Sequence, residues 1–195
     1  MVGRPREFDV DQVLDAAMQA FWAKGYEATS LTDLMNATGL HKGSLYQAFG
    51  DKHALFTQAL ARYLADMRRI KNELLAAAAT PLAGIRAVGH AMIDIADADC
   101  GCPKGCLAIN SLVELAPHDS EVRTMLDQHS ATMRGSLEDT VREAQARGEI
   151  DRSRPAELVA AMLMTFLAGL GTTMKGPITR EDAHALLDAQ LDALS

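Results

Sequence analysis

Three cysteines lie within seven residues of one another near the middle of the chain, at Cys100, Cys102 and Cys106. Thiolates bind soft metals and react with oxidants and electrophiles, so this spacing suggests two kinds of chemistry. A metal site would draw a further ligand from His90 or His118, but the paired C-x2-C spacing of structural zinc sites is missing. The third interpretation is that the cysteines are small hydrophobic residues that only pack. The residues alone leave all three interpretations open.

A sensing role would place its chemistry at Cys106, which begins a predicted helix whose first amides favour the reactive thiolate. Cys100 or Cys102 would then resolve the oxidised sulfur. Phe166 is the only aromatic residue after Tyr63, whereas six of the ten methionines lie between positions 92 and 174. A pocket in this part would therefore be lined by aliphatic and thioether groups. The candidate effector residues beside the cysteines are Met92, Met162, Phe166 and Lys175.

A second group of reactive side chains lies on a short predicted helix from about Lys42 to Phe49. The spacing turns Leu45 and Phe49 inward and leaves a donor-rich face outward. Such a face can contact base edges and phosphates, and a glycine in it lets the backbone come close. The alternative is an ordinary helical hairpin without a nucleic-acid partner. The candidate DNA-binding residues here are His41, Lys42, Gly43, Ser44, Tyr46 and Gln47.

The elements before and after this helix would position it. Ser30 and Asp33 have the spacing of a capping box, and Gly39 allows the sharp turn between two helices, as in a helix-turn-helix. Thr29 and Ser30, at the first helix start, are further candidates for DNA contact. Lys52 begins the next helix and is a candidate phosphate contact, because amides and dipole favour an anion there. Arg4 and Arg6 form a basic arm that either enters the minor groove or is a solvated terminus.

The run from Val13 to Leu55 resembles the N-terminal domain of TetR-family repressors. The resemblance covers about the first quarter of the chain and implies an all-helical homodimer with three DNA-binding helices and a larger ligand-binding domain. This family usually has Ser or Thr where His41 stands, so the second helix lacks its usual cap and the role of His41 is open. The residues that carry the resemblance are Ala17, Phe21, Gly25-Tyr26, Thr29-Ser30, Gly39, Lys42-Gly43-Ser44-Leu45-Tyr46, Phe49, Lys52 and Leu55.

A second resemblance concerns the cysteine segment. Gly105-Cys106-Leu107, followed by Asn110-Ser111 and Glu114-Leu115-Ala116-Pro117, is similar to the thiol-responsive branch of the same family. This similarity favours sensing over packing and metal binding. We therefore expect no metal and no cofactor.

Composition and charge limit the remaining possibilities. The chain has 195 residues, 48% of them hydrophobic, and a net charge of −7. Residues 1–75 carry nine basic and nine acidic residues, whereas residues 76–195 carry ten and seventeen, so the acidity belongs to the second part. The N-terminus lacks the apolar core of a signal peptide, and no apolar run is expected to reach a membrane span of roughly 18 residues. The predicted location is the cytoplasm.

The helical pattern predicts an all-α fold in two parts. Residues 1–50 form the three-helix DNA-binding domain with its helix-turn-helix, and residues 51–195 form a larger helical effector-binding and dimerisation domain, with a connecting helix at 51–79. The last two helices are too apolar to face water. They predict a homodimer interface in which Leu170, Leu187 and Leu191 would otherwise be exposed.

The predicted function is a one-component transcriptional regulator, a repressor released from a palindromic operator by a small-molecule or electrophile effector. One alternative is a helical thiol-dependent redox enzyme that uses Cys106. The sequence has no C-x-x-C motif and no cofactor-binding glycine loop that would support this alternative, so catalysis is not expected. A further alternative is a helical ligand-binding module whose helix-turn-helix no longer binds DNA.

Overall fold

The computed structural model describes residues 8–97 and 104–194, and these ranges contain nine α-helices and no strand. The all-α prediction is confirmed. The helices are α1 (Val10–Lys24), α2 (Leu31–Thr38), α3 (Lys42–Phe49), α4 (Lys52–Ala77), α5 (Pro81–Asp97), α6 (Leu107–Glu114), α7 (Ser120–Arg147), α8 (Ala156–Thr173) and α9 (Arg180–Asp192).

The chain forms two compact units, Met1–Ala65 and Asp66–Ser195, which divide inside α4. The sequence analysis puts the functional boundary earlier, at residue 50, before this helix. The difference arises because the first half of α4 supplies core residues to the N-terminal unit, whereas a sequence pattern shows only where a helix begins. The connecting helix itself runs without interruption for 26 residues.

Aromatic side chains form the core of the N-terminal unit. The apolar stripe of α1 places Phe21 edge-on against Phe56 of α4, with ring centroids 5.1 Å apart, and Trp22 against Tyr63 at 5.0 Å. Edge-to-face pairs of this kind stabilise a core beyond the area that they bury. Arg62 of α4 adds an ion pair to Asp15 of α1. These contacts fix the base on which α2 and α3 are built.

The C-terminal unit has a core of aliphatic side chains from α5, α7, α8 and α9. Leu187 of α9 lies so close to Gly89 of α5 that a Cβ atom there would be 2.6 Å from Leu187 Cδ2. Leu170, Leu187 and Leu191 are 5%, 1% and 0% exposed. The prediction that these three leucines form an exposed dimer surface is therefore wrong, because the chain's own core already covers them.

Helix α8 corrects a second expectation. Among the described residues it is the one helix long and apolar enough to cross a membrane by length and composition. The expectation that no apolar run reaches about 18 residues is wrong for this helix. Val159, Leu163 and Leu170 belong to the core of the C-terminal unit, and a core helix meets the same criteria as a span. Only 28% of this 18-residue window is buried, so α8 packs one side on the core and leaves an open face, on which Leu158 and Met162 are exposed.

A polar network joins α5 to α9. Arg86 pairs with Asp188 and with Asp192, the latter at 2.6 Å. His90 and His184 face each other through their Nδ1 atoms at 2.5 Å, so one ring nitrogen donates and the other accepts. Arg86 is the main reason that the pKa of Asp188 lies below its usual value.

Candidate nucleic-acid interface and effector region

The start of α2 has the capping box that the sequence predicts. Ser30 Oγ accepts a hydrogen bond from the Asp33 amide at 3.1 Å, and Asp33 Oδ2 accepts one from the Ser30 amide at 2.8 Å. Lys24 Nζ lies 2.5 Å from the other Asp33 oxygen. Hydrogen bonds from Lys24 and then Ser30 hold the pKa of Asp33 well below its usual range. The carboxylate therefore fixes both the cap and the end of α1.

The turn into α3 also agrees with the sequence. Gly39 has φ of 70° and donates to the Met35 carbonyl at 2.9 Å, which ends α2 in the left-handed conformation. In α3, Leu45 and Phe49 are 1% and 5% exposed. The six candidate residues on the other side are all exposed, namely His41, Lys42, Gly43, Ser44, Tyr46 and Gln47. The helix thus presents a continuous donor-bearing face.

Two side-chain contacts of this unit lie beyond the reach of the sequence, whereas the missing cap at His41 is expected from it. His41 is the N-cap residue of α3, and its side chain makes no capping hydrogen bond. Lys42 Nζ lies 5.6 Å from the centroid of the Tyr46 ring, within cation–π range. Lys52 Nζ lies over Tyr26 at 4.4 Å and 3.5 Å from the Glu27 carbonyl oxygen. These contacts hold both ammonium groups near the donor-bearing face of α3 or the start of α4.

Thr29 differs from its predicted role. Its side chain is 0% exposed, and its hydroxyl donates to the Gly25 carbonyl at 2.5 Å. A buried hydroxyl that is already used by the backbone does not reach a phosphate, so Thr29 supports the turn between α1 and α2. Ser30 is exposed, although its side chain is engaged in the cap. Arg4 and Arg6 lie outside the described residues.

The effector candidates divide into those that lie together and those that do not. Cys106 is half-buried at the N-cap of α6, and Cys100 and Cys102 lie outside the described residues. Gly105, at φ of 66°, packs on the end of α8: a Cβ atom there would lie 2.4 Å from the Gly171 carbonyl oxygen and 3.0 Å from Lys175 Cε. The structure therefore brings Lys175 to the cysteine segment, a contact that the sequence could not give.

The other candidates are spread over the C-terminal unit. Met162 is 36% exposed on the open face of α8, whereas Phe166 packs partly against the core and Met92 is half-buried on α5. A shallow cavity of about 720 Å³ elsewhere in this unit is lined by residues that include Thr80, Arg86, His90 and Glu149, and by none of the predicted effector residues. No group of three or more metal-ligating side chains is assembled within residues 8–97 and 104–194.

Two family models match the chain. Residues 13–59 match "Bacterial regulatory proteins, tetR family", and residues 81–185 match "Tetracyclin repressor-like, C-terminal domain". The first match contains α2 and α3 with the donor-bearing face, and the second contains the cysteine segment. The fold and the site together define a helix-turn-helix regulator of transcription.

Relatives that match most of the length of this chain are regulators of the same class. The chain is 34% identical to the transcriptional repressor ComR of Escherichia coli, over 89% of this chain and 82% of that protein, and 28% identical to the repressor DhaR of Mycobacterium sp., over 93% and 90%. A solved structure of a cysteine mutant of the TetR-family regulator CifR with 26-base-pair operator DNA superimposes with a TM-score of 0.85 at 31% identity, covering 99% of this chain and all of that one. This chain belongs to the TetR family of transcriptional regulators.

Proposed function

We propose that the chain is a cytoplasmic homodimeric repressor that binds a palindromic operator through α3 and releases it when an effector binds the C-terminal unit. The observation that carries the proposal is the division of α3 into a buried apolar side and an exposed donor-bearing side. In helix-turn-helix proteins such a face reads base edges in the major groove. The resemblance to CifR, whose structure contains operator DNA, supports the same assignment.

Within this proposal the exposed residues have separate roles. Lys42 and Gln47 contact base edges, and Gly43 lets the backbone approach the groove. His41, Ser44 and Tyr46 contact phosphates, as do Lys52 and the arm that contains Arg4 and Arg6. Phosphate contacts set affinity and its salt dependence, whereas base contacts set specificity. The two groups can therefore be separated by experiment.

The test is a gel shift with DNA from upstream of the gene at several salt concentrations. Lys42→Ala should lose about 1–3 kcal/mol on the operator and relax its specificity, because a base contact is lost. Lys52→Ala should weaken all sequences about equally and reduce the salt slope by about one. Arg123→Ala removes an exposed charge from α7 and serves as the matched control. If Lys42→Ala and Lys52→Ala both bind like the control, α3 is not the reading helix.

We propose further that two copies associate through the outward faces of α8 and α9. Leu158 of α8 is 50% exposed and Leu186 of α9 is 43% exposed. In this proposal Leu158 and Leu186 replace the buried Leu170, Leu187 and Leu191 as interface residues, because their side chains are available for contact. A two-fold axis gives the DNA-binding units a reason to occur in pairs, since dimers of this class read two half-sites.

For the switch, we propose that Cys106 is the reactive residue. Cys106 lies at the N-cap of α6, and Lys175 is held against the same segment. The continuous helix α4 would transmit the change. Treatment with N-ethylmaleimide should lower operator affinity roughly 5- to 150-fold, the usual range of allosteric coupling, and Cys106→Ser should abolish the loss while keeping basal binding. Release of DNA by the treated Cys106→Ser protein would remove the thiol switch and leave a non-covalent effector.

The redox-enzyme alternative has no support among the relatives, which are transcriptional regulators. We propose that the cysteine segment serves regulation and that the chain has no catalytic activity. Turnover of a peroxide with a thiol reductant, lost in Cys106→Ser, would contradict this part of the proposal.

A further inference from the structure

Lys71 of α4 is the one charged side chain that is buried among the residues the structure describes, with 6% of its surface exposed. Lysines are almost never buried unless a partner neutralises them. No hydrogen bond or ion pair joins the Lys71 ammonium to any described residue. Burial is the main reason that the pKa of Lys71 lies below its usual value. The charge is therefore held in an unfavourable place without an internal partner.

The groups near Lys71 make this burial less favourable. Arg68 lies one turn earlier on the same face of α4 and lowers the pKa of Lys71 further. His129 of α7 is half-buried, and its pKa is lowered first by burial and then by the charges of Arg68 and Lys71. No carboxylate contributes to either shift. Three groups that carry or can accept a positive charge therefore influence one another, and no carboxylate of the described part of the chain offsets them.

Other cations of the same unit are arranged differently. Arg86 pairs with Asp188, Arg142 with Glu157, and Arg180 with Asp94. Within residues 8–97 and 104–194, carboxylates thus pair with these arginines, but none pairs with Lys71. A purely structural role does not explain this, because an apolar side chain at position 71 would pack without the cost of an unpaired charge.

We propose that Lys71, Arg68 and His129 form a binding site for the anionic group of the effector, an organic carboxylate or phosphate with an apolar body. The guanidinium provides a planar pair of donors for an oxyanion, the ammonium a point charge, and the imidazole a further donor once protonated. Met67 and Leu126, about one turn away on the same two helices, are 9% and 5% exposed and would adjoin the apolar body.

Access to the site follows from the hydrogen bonding. No fully enclosed side-chain nitrogen or oxygen in the described chain lacks a partner, so the unpaired Lys71 ammonium keeps a small contact with the surface. The ammonium is therefore not sealed off from solvent. The inference rests on the effector role proposed for this unit, but its test needs no DNA.

The experiment compares octanoate with 1-octanol on the purified full-length protein, by thermal shift and calorimetry. Octanoate should raise the melting temperature, and the uncharged alcohol should have a much smaller effect. Because an anion beside His129 raises the lowered pKa of its imidazole, octanoate binding should take up protons near pH 7, seen as a buffer-dependent heat. Inorganic phosphate, tested alone, separates recognition of the charged group from recognition of the apolar body.

Lys71→Met keeps the length of the side chain and removes the charge. It should weaken octanoate binding about 30-fold or more, as loss of one partner of a buried charge pair does, while the unliganded protein melts at the same or a higher temperature. His129→Gln should reduce the proton uptake. Arg134→Met removes an exposed cation from α7 and should leave binding unchanged.

The site is overturned if octanol stabilises the protein as strongly as octanoate, if Lys71→Met binds octanoate as the unmodified protein does, or if Arg134→Met loses as much affinity. Lys71 would then only extend its stem through the core to solvent. Operator binding without ligand is measured separately. Failure of operator binding contradicts the proposed function even where octanoate binds as expected, so the two failures are distinguishable.

Discussion

The open face of α8 gives a quantitative test of how two copies associate. Fully burying a leucine contributes roughly 1.5–3 kcal/mol, so burying the 50% of Leu158 that is exposed contributes about 1 kcal/mol per protomer. A two-fold interface uses the residue twice, which makes about 2 kcal/mol. Leu158→Glu loses this contribution and adds the cost of burying a carboxylate. The dimer dissociation constant should therefore rise at least about 30-fold.

Sedimentation velocity over a dilution series from nanomolar to micromolar protein measures this constant. Leu112→Glu is the matched control, because Leu112 is 40% exposed on α6, outside the proposed interface. Leu158→Glu should become monomeric at concentrations where the control stays dimeric, and should lose operator affinity with it. If Leu158→Glu dimerises like the unmodified protein, or if Leu112→Glu dissociates as readily, the interface lies elsewhere.

Three further predictions concern the local structure. Ser30→Ala should cost about 1 kcal/mol in urea unfolding, whereas Ser30→Asp, which keeps a capping oxygen, should cost little. The pKa of Asp188 is lowered in the folded chain, so its stabilisation is present above about pH 4 and is lost as the pH falls through the folded-state value. The difference in melting temperature between the protein and Asp188→Asn should accordingly be constant above about pH 5 and shrink below about pH 4. Gly105→Ala should destabilise the C-terminal unit by about 1–3 kcal/mol and change the rate at which Cys106 reacts with a disulfide reagent, because φ is 66° and the added methyl would meet the Gly171 carbonyl.

The donor-bearing face of α3 could be predicted because it depends on neighbours along the chain. The cap at Ser30, the turn at Gly39 and the alternation between Leu45 and the exposed residues of α3 are local, and sequence periodicity contains them. The prediction for Thr29 is wrong because its hydroxyl bonds a carbonyl four residues away in a turn that only the folded backbone defines.

The dimer surface could not be read from the sequence. Periodicity shows that α9 has an apolar face, but not whether another helix of the same chain covers it. Leu187 packs against Gly89, which is 98 residues earlier, so α5 of the same chain covers this side of α9. The proposed effector sites also depend on pairs far apart in the sequence, Gly105 with Lys175 and Lys71 with His129.

The uncapped start of α3 has a consequence for the free protein. The His41 side chain makes no capping hydrogen bond, so the first amides of this eight-residue helix have no side-chain cap among the residues that the structure describes. Short helices with unsatisfied ends open often. Amide hydrogens of Gly43 and Ser44 should therefore exchange rapidly with deuterium in solution and become protected when operator phosphates accept their hydrogen bonds, whereas the capped amide of Asp33 should exchange slowly in both states. If α3 is the reading helix, it becomes fully ordered only when it binds DNA. Part of its discrimination between DNA sequences then comes from the folding of α3 on binding.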